Sequence, residues 1–120
     1  MLQYSKSDEQ KVFELTISGK VTREELANCL KDLESSLNNW SEIRMLKRVD
    51  SFDGIEMSAL VDDIQFFFRN FSHLKKITKI AVVTEISWAE KVIDLLEPII
   101  PGEVKLFEQE DIGEAREWLR

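Results

Sequence analysis

Strand-like and helix-like segments alternate along the 120 residues of the chain. In KVFELTIS (11–18), Phe13, Leu15 and Ile17 alternate with mostly polar residues, which is the period of a half-buried strand. From Leu26 to Leu37, leucines then recur at spacings of three and four, which indicates a helix with one apolar stripe. Further strands are predicted at 43–49, 77–84 and 103–108, each followed by a segment of helical period.

Four strand–helix units predict one α/β domain that spans residues 1–120, with no linker or second domain. Connections this short favour a mainly parallel sheet of four or five strands with right-handed crossovers. MLQYSKSD (1–8) is predicted as an extra strand, paired to the first by a hairpin. The consecutive apolar residues of ITKIAVVT (77–84) are typical of a central strand.

The starts of the predicted helices share one pattern, [S/T/D]-x-x-E. It occurs at 22–25, 53–56, 87–90 and 111–114. In such a capping box the first side chain accepts a hydrogen bond from an early helical N–H, and the glutamate reaches back to the capping residue. We therefore predict four capped helices.

Composition and charge restrict the classes of partner. The net charge of −7 argues against nucleic acid and anionic membranes, because both are bound by clustered Lys and Arg. No apolar run is long enough to span a membrane and the first residues lack a signal-peptide core, so we expect a cytoplasmic protein. The single cysteine, Cys29, is predicted to be a small core residue. Two basic groupings are interpreted as solvated faces or strand edges: Arg44, Lys47 and Arg48, and Lys75, Lys76 and Lys79.

The carboxyl edge of a parallel sheet is where ligands tend to bind. In this chain the loops at that edge are acidic and contain no glycine-rich phosphate cradle. The only histidine, His73, lies late in the second predicted helix, so no catalytic triad or His/Cys metal cluster is indicated. Two interpretations of the acids remain open: helix caps with solvated charge, or a site for a divalent cation. No cofactor is predicted.

Aromatic residues provide further candidates. Phe66 lies away from the apolar stripe of the second predicted helix, so it is either covered by a neighbouring helix or exposed as a partner contact. Phe52 and Trp88 follow successive predicted strands, where they either staple helix starts or line a pocket at the carboxyl edge.

Several stretches resemble the SpoIIAA-like family, relatives of the STAS domain of anti-sigma factor antagonists. They are FDGIEMSALVDDIQF (52–66), KIAVVTEISWAEKV (79–92), LLEPI (95–99), EVKLFE (103–108) and EAREWL (114–119). The resemblance implies a four-turn (βα) superhelix with helices mostly on one face of the sheet, a fold also seen in CRAL-TRIO lipid-binding domains.

The resemblance also bears on residues 51–54. STAS antagonists carry a phosphorylatable Ser or Thr directly before the glycine that opens the second helix. Aligned on Gly54, this chain has Asp53 at the acceptor position. Either Asp53 imposes a permanently charged state, or Ser51 is modified in a shifted register.

Three functions follow from these patterns. The first is a non-catalytic regulatory module that binds a protein partner or a second copy of itself through loop 50–56 and the second predicted helix. The alternative is a carrier or sensor of a small hydrophobic or lipid-like ligand, with that Phe/Met-rich helix as a pocket wall. A metal-dependent enzyme at the acidic edge is the third. The candidate contact residues are Ser51, Phe52, Asp53, Gly54, Phe66 and Trp88.

Overall fold

Seven strands and two helices are formed by the residues that the computed structural model describes, which are 1–51, 54–55, 74–87, 90 and 102–120. The strands are β1 (Leu2–Ser7), β2 (Val12–Ile17), β3 (Lys20–Val21), β4 (Ile43–Val49), β5 (Gly54–Ile55), β6 (Ile77–Thr84) and β7 (Glu103–Phe107). The helices are α1 (Arg23–Asn39) and α2 (Ile112–Leu119). Single 3₁₀ turns, Leu74–Lys76 and Gln109–Asp111, precede β6 and α2.

Five strands form the main sheet, in the order β1-β2-β4-β6-β7. The predicted N-terminal hairpin is present, since β1 pairs antiparallel with β2. The pairs β2–β4, β4–β6 and β6–β7 are parallel. The sheet is therefore mixed, and the expectation of a mainly parallel sheet is corrected. A second, two-stranded sheet pairs β3 with β5 in parallel.

One face of the main sheet packs against α1. Phe13, Leu15 and the leucines of α1 in this core lie on the faces that the alternating and helical patterns predicted. Cys29 is among them and is 4% exposed, which confirms its prediction as a core residue. The buried members are Phe13, Leu15, Cys29, Leu33, Leu37, Trp40, Ile43, Met45, Ile77 and Ile80.

The opposite face of the sheet packs against α2. Its buried core consists of Val12, Leu46, Ala81, Val83, Phe107, Ala115 and Leu119. Because α1 and α2 lie on opposite faces, the described part of the chain does not confirm a superhelix with helices mostly on one face. The core under α2 explains why Leu46 is only 2% exposed. Its side chain lies on the face of the sheet opposite to that of Met45.

Basic side chains at the amino ends of the strands hold the carboxyl ends of the helices. Arg44 Nη1 donates to the carbonyl of Leu119 at 2.9 Å, and Lys79 Nζ donates to the carbonyl of Trp118 at 2.9 Å. Lys76 Nζ donates to Leu37 O in α1 at 2.6 Å. These carbonyls carry the negative end of the helix dipole, so cations stabilise them. The interpretation of the basic groupings as solvated faces or strand edges did not include these three hydrogen bonds.

The first capping box is confirmed. Thr22 Oγ1 accepts a hydrogen bond from Glu25 N at 3.2 Å, and Glu25 Oε1 accepts one from Thr22 N at 3.1 Å. The other carboxylate oxygen of Glu25 accepts from Leu2 N at 2.7 Å, which ties β1 to the start of α1. These backbone N–H groups favour the charged carboxylate and lower the pKa of Glu25.

The other predicted boxes differ from the first. In the box 53–56 the structure describes Gly54 and Ile55, which are extended and pair with β3 instead of forming a first helical turn. Asp111 makes no capping hydrogen bond, because the 3₁₀ turn Gln109–Asp111 continues directly into α2. The fourth box, 87–90, includes Trp88 and Ala89, which lie outside the described residues.

Thr22 caps its helix and Asp111 does not, so replacing each with alanine should have different effects on stability. We expect Thr22→Ala to lower the free energy of unfolding by about 1 kcal/mol, because it leaves an early N–H of α1 without its acceptor. Asp111→Ala is the matched control and should change it by less than about 0.5 kcal/mol, since its side chain caps nothing. Urea unfolding of both variants measures the difference. Equal losses would contradict the assignment of the caps.

Candidate functional site

Ser51 is exposed and is held to the turn that follows β2. The N–H of Gly19 donates both to Ser51 Oγ, at 2.8 Å, and to Ser51 O, at 3.0 Å. Gly19 has a φ of 71°, a left-handed conformation that glycine adopts without a Cβ clash. Ser51 is therefore fixed in position by two hydrogen bonds from one N–H group.

The backbone beyond Ser51 is anchored a second time. Gly54 pairs with Lys20, and Ile55 pairs with Val21. The predicted loop 50–56 is thus attached to the β2–β3 segment at residue 51 and again at 54–55. Gly54 serves strand pairing here, which corrects its predicted role at the opening of a helix.

A hydrogen-bonded network joins the loops that follow β4, β6 and β7. Asp50 Oδ1 accepts from Arg48 Nε at 2.8 Å and from Gln109 Nε2 at 2.9 Å. The backbone N–H of Gln109 donates to Glu85 Oε1 at 2.8 Å. Gln109 therefore bridges two loops that are distant in sequence, and the three loops form one surface.

Three carboxylates cluster beside this network. One oxygen from each of Glu108, Glu110 and Asp111 lies within 4.8 Å of the others. The hydrogen bond with Glu110, reinforced by repulsion from Glu85 and the other acids, raises the pKa of Glu108 above its usual value. The cluster can share a proton or offer oxygen ligands to a divalent cation.

A shallow depression of about 310 Å³ lies next to the carboxylate cluster. Leu106 and Phe107 supply apolar lining, and Glu85, Glu90 and Glu108 supply acidic groups. One wall of the depression is ordered by the hydroxyl of Thr84, which donates to Val49 O at 2.8 Å and accepts from Ile86 N at 3.1 Å. The depression therefore combines apolar contact area with negative charge.

The structure describes only part of the candidate surface that the sequence predicted. It places Ser51 at the exposed edge and Gly54 in β5. Phe52, Asp53, Phe66 and Trp88 lie outside the described residues, as do His73 and the Phe/Met-rich second predicted helix.

Gln109 and Gly19 were missed by the sequence patterns. A Gly-Lys pair directly after a predicted strand could have indicated the turn at Gly19. Nothing in the sequence connects Gln109 with Asp50, because that pairing arises only when β4 and β7 end at the same edge.

The mixed five-stranded α/β sheet is the architecture of a SpoIIAA-like domain. The model of the SpoIIAA-like family matches residues 12–120. The chain belongs to the SpoIIAA-like family, and this membership suggests a regulatory or binding module.

Comparison with solved structures supports the fold. The crystal structure of an uncharacterised protein of the DUF3478 family with a SpoIIAA-like fold, from Shewanella loihica PV-4, is 24% identical to this chain. The match covers 100% of this chain and 93% of the other, with a TM-score of 0.73. At this identity the likeness shows the fold alone. No curated protein matches the sequence. Within the described residues, neither helix is long and apolar enough to cross a membrane.

The hydrogen bond from the Gly19 N–H to Ser51 Oγ can be tested by amide hydrogen exchange. We expect Ser51→Ala to speed hydrogen exchange at the Gly19 amide and to lower the free energy of unfolding by about 0.5 kcal/mol, because one of two acceptors is lost at an exposed position. Ser5→Ala, at another exposed serine, is the control and should leave Gly19 unchanged. Unaltered exchange in Ser51→Ala would refute the contact.

The pKa of Glu108 predicts a pH-dependent stability. A carboxyl whose pKa is raised on folding binds its proton more tightly in the folded protein, so stability falls as the pH rises through that pKa. Glu108→Gln should therefore raise the melting temperature at pH 7 and have a smaller effect at pH 4, where Glu108 is largely protonated. Glu9→Gln, at an exposed turn, should show no such difference between the two pH values. A Glu108 effect independent of pH would contradict the raised pKa.

Proposed function

We propose that this protein is a non-catalytic regulatory module that binds a protein partner at the carboxyl edge of its sheet. The observation that carries the proposal is the network that joins Asp50, Glu85 and Gln109, next to the anchored Ser51. A surface held in one conformation loses little entropy when a partner binds, which favours affinity.

The charge of this edge indicates the chemistry of the partner. Glu90, Glu108 and Glu110 are exposed there. The nearby cation Arg48 is paired with Asp50. Complementary charge steers association and suppresses wrong partners, so a basic protein surface fits this edge best. The apolar lining from Leu106 and Phe107 would add contact area beside the charged rim.

In this proposal, phosphorylation of Ser51 regulates binding at the surface. A phosphoryl group on Ser51 would add a charge of about −1.5 to −2 and would compete for the Gly19 N–H that now fixes the loop. On an edge that is already acidic, this addition would strengthen attraction to a basic partner.

The proposal is tested with two double variants of equal charge. Glu90→Lys with Glu110→Lys reverses charge at the proposed surface, and Glu9→Lys with Glu34→Lys does so at exposed positions away from it. Each replacement adds two charges, so both variants carry a net charge of −3 instead of −7. The partner is captured from a lysate of the native host, and its affinity is then measured with purified components. We expect the edge variant to weaken binding about tenfold or more and the control to bind normally.

Two results would contradict the proposal. One is an equal loss in both variants, which would mean that only overall charge matters. The other is a protein that remains a monomer in light scattering and captures no partner. A dimer in light scattering that the edge variant dissociates would identify the partner as a second copy of this chain.

A further inference from the structure

The segment that joins β2 to α1, residues 17–21, lies between β1 and the candidate surface. On one side it borders the start of β1, where Leu2 pairs with Ile17. On the other side it holds part of the candidate surface, because Gly19 binds Ser51 and β3 pairs with β5. The position of Ser51 therefore depends on how firmly this segment is held.

A single carboxylate connects the two parts of the chain that enclose the segment. Glu25 Oε2 accepts from Leu2 N at 2.7 Å, at the start of β1. Glu25 Oε1 accepts from Thr22 N at 3.1 Å, directly after the segment. Both donors are backbone N–H groups, so these hydrogen bonds fix the main chain itself. Together with the pairing of β1 and β2, they close a ring of contacts around the segment, and Gly19 lies within that ring.

The Leu2 N–H points away from β2 and toward Glu25. In an antiparallel pair of strands, only every second residue exchanges hydrogen bonds with the residue opposite. Met1 is such a residue, since it accepts from Ser18 N at 2.8 Å and its nitrogen donates to Ser18 O. The N–H of the next residue, Leu2, therefore takes no part in the ladder. Removing its hydrogen bond to Glu25 leaves the pairing of β1 and β2 intact.

The charge of Glu25 strengthens both hydrogen bonds. An ionised carboxylate accepts from an N–H group more strongly than a neutral carboxyl does. The backbone N–H groups of Leu2 and Thr22 in turn favour the ionised form and lower the pKa of Glu25. At neutral pH the carboxylate is therefore charged and holds both donors.

We propose that Glu25 is a positioning residue for the partner surface, which acts through Leu2 and residues 17–21 to hold Ser51 in place. When the hydrogen bond between Glu25 and Leu2 is broken, the start of β1 separates from α1, and the segment loses its support on that side. Gly19 then no longer presents its N–H to Ser51 in one fixed position. β1 is thus a strap whose attachment to α1 keeps the loop after β4 ordered.

The relevance of this coupling to binding rests on the proposed function. The coupling itself is a property of the free protein, so it is measured without a partner.

Two substitutions of Leu2 separate its N–H from its side chain. Leu2→Pro removes the N–H that Glu25 binds, and Leu2→Ala shortens the side chain but keeps that N–H. Relative to Leu2→Ala, we expect Leu2→Pro to speed amide exchange at Gly19 at least about fivefold, because local opening sets that rate. Rates are normalised to the amide of the buried Ala81, which reports overall unfolding. The Gly19 amide proton resonance should also move upfield as its hydrogen bond to Ser51 weakens, a change that lower overall stability does not produce.

A second pair of variants tests the carboxylate. Glu25→Ala removes the hydrogen bond to Leu2, whereas Thr22→Ala breaks the other half of the same capping box and leaves that bond in place. We expect Glu25→Ala to reproduce the changes that Leu2→Pro causes at Gly19. Thr22→Ala should alter the normalised rate less than about twofold. Combining Glu25→Ala with Leu2→Pro should add no further change, because both remove the same contact.

Two results would overturn the proposal. One is the same Gly19 exchange rate and resonance in Leu2→Pro and Leu2→Ala. The other is additive effects of Leu2→Pro and Glu25→Ala, which would mean that the two residues act separately. Neither result bears on the charge-reversal test of partner binding, and a failure of that test would leave the coupling at Gly19 unchanged, so the two proposals fail separately.

Discussion

The central position of β4 is the constraint on which the rest of the structure depends. It is paired on both edges, to β2 and β6, and is buried on both faces. Met45 contributes to the core under α1, and Leu46 contributes to the core under α2. At its amino end Arg44 holds the last carbonyl of α2, and at its carboxyl end Asp50 joins the loop network. Displacing this strand would disturb both cores and the candidate surface together.

The same topology separates charge along the molecule. Helices that follow parallel strands run back toward the amino edge, so their negative ends gather there, where Lys76, Lys79 and Arg44 bind them. Helix starts gather at the carboxyl edge, where acids such as Glu25 accept backbone N–H groups. Part of the acidity of the candidate surface therefore has a structural cause. The exposed carboxylates that cap nothing are the ones that the proposed partner surface would use.

Periodic patterns predicted the strands and the outer helices well, because alternation and helical spacing are local properties of the chain. The hairpin, the core role of Cys29 and the cap at Thr22 followed from the same local rules. Capping motifs were less reliable. Asp111 lies in a 3₁₀ turn that needs no side-chain cap, and Gly54 pairs with Lys20, a partner far away in sequence. A local motif cannot compete with strand pairing that forms during assembly of the fold.

By itself, the sequence determined the α/β class and the main strands, since these depend on residue type and period. Only the tertiary structure decided which side chains meet. It brought Gln109 to Asp50, fixed Ser51 on Gly19, and joined Leu2 to Glu25. The physical reason is register: contacts across strands depend on how the strands align, and alignment is set by the packing of the whole sheet rather than by any one segment.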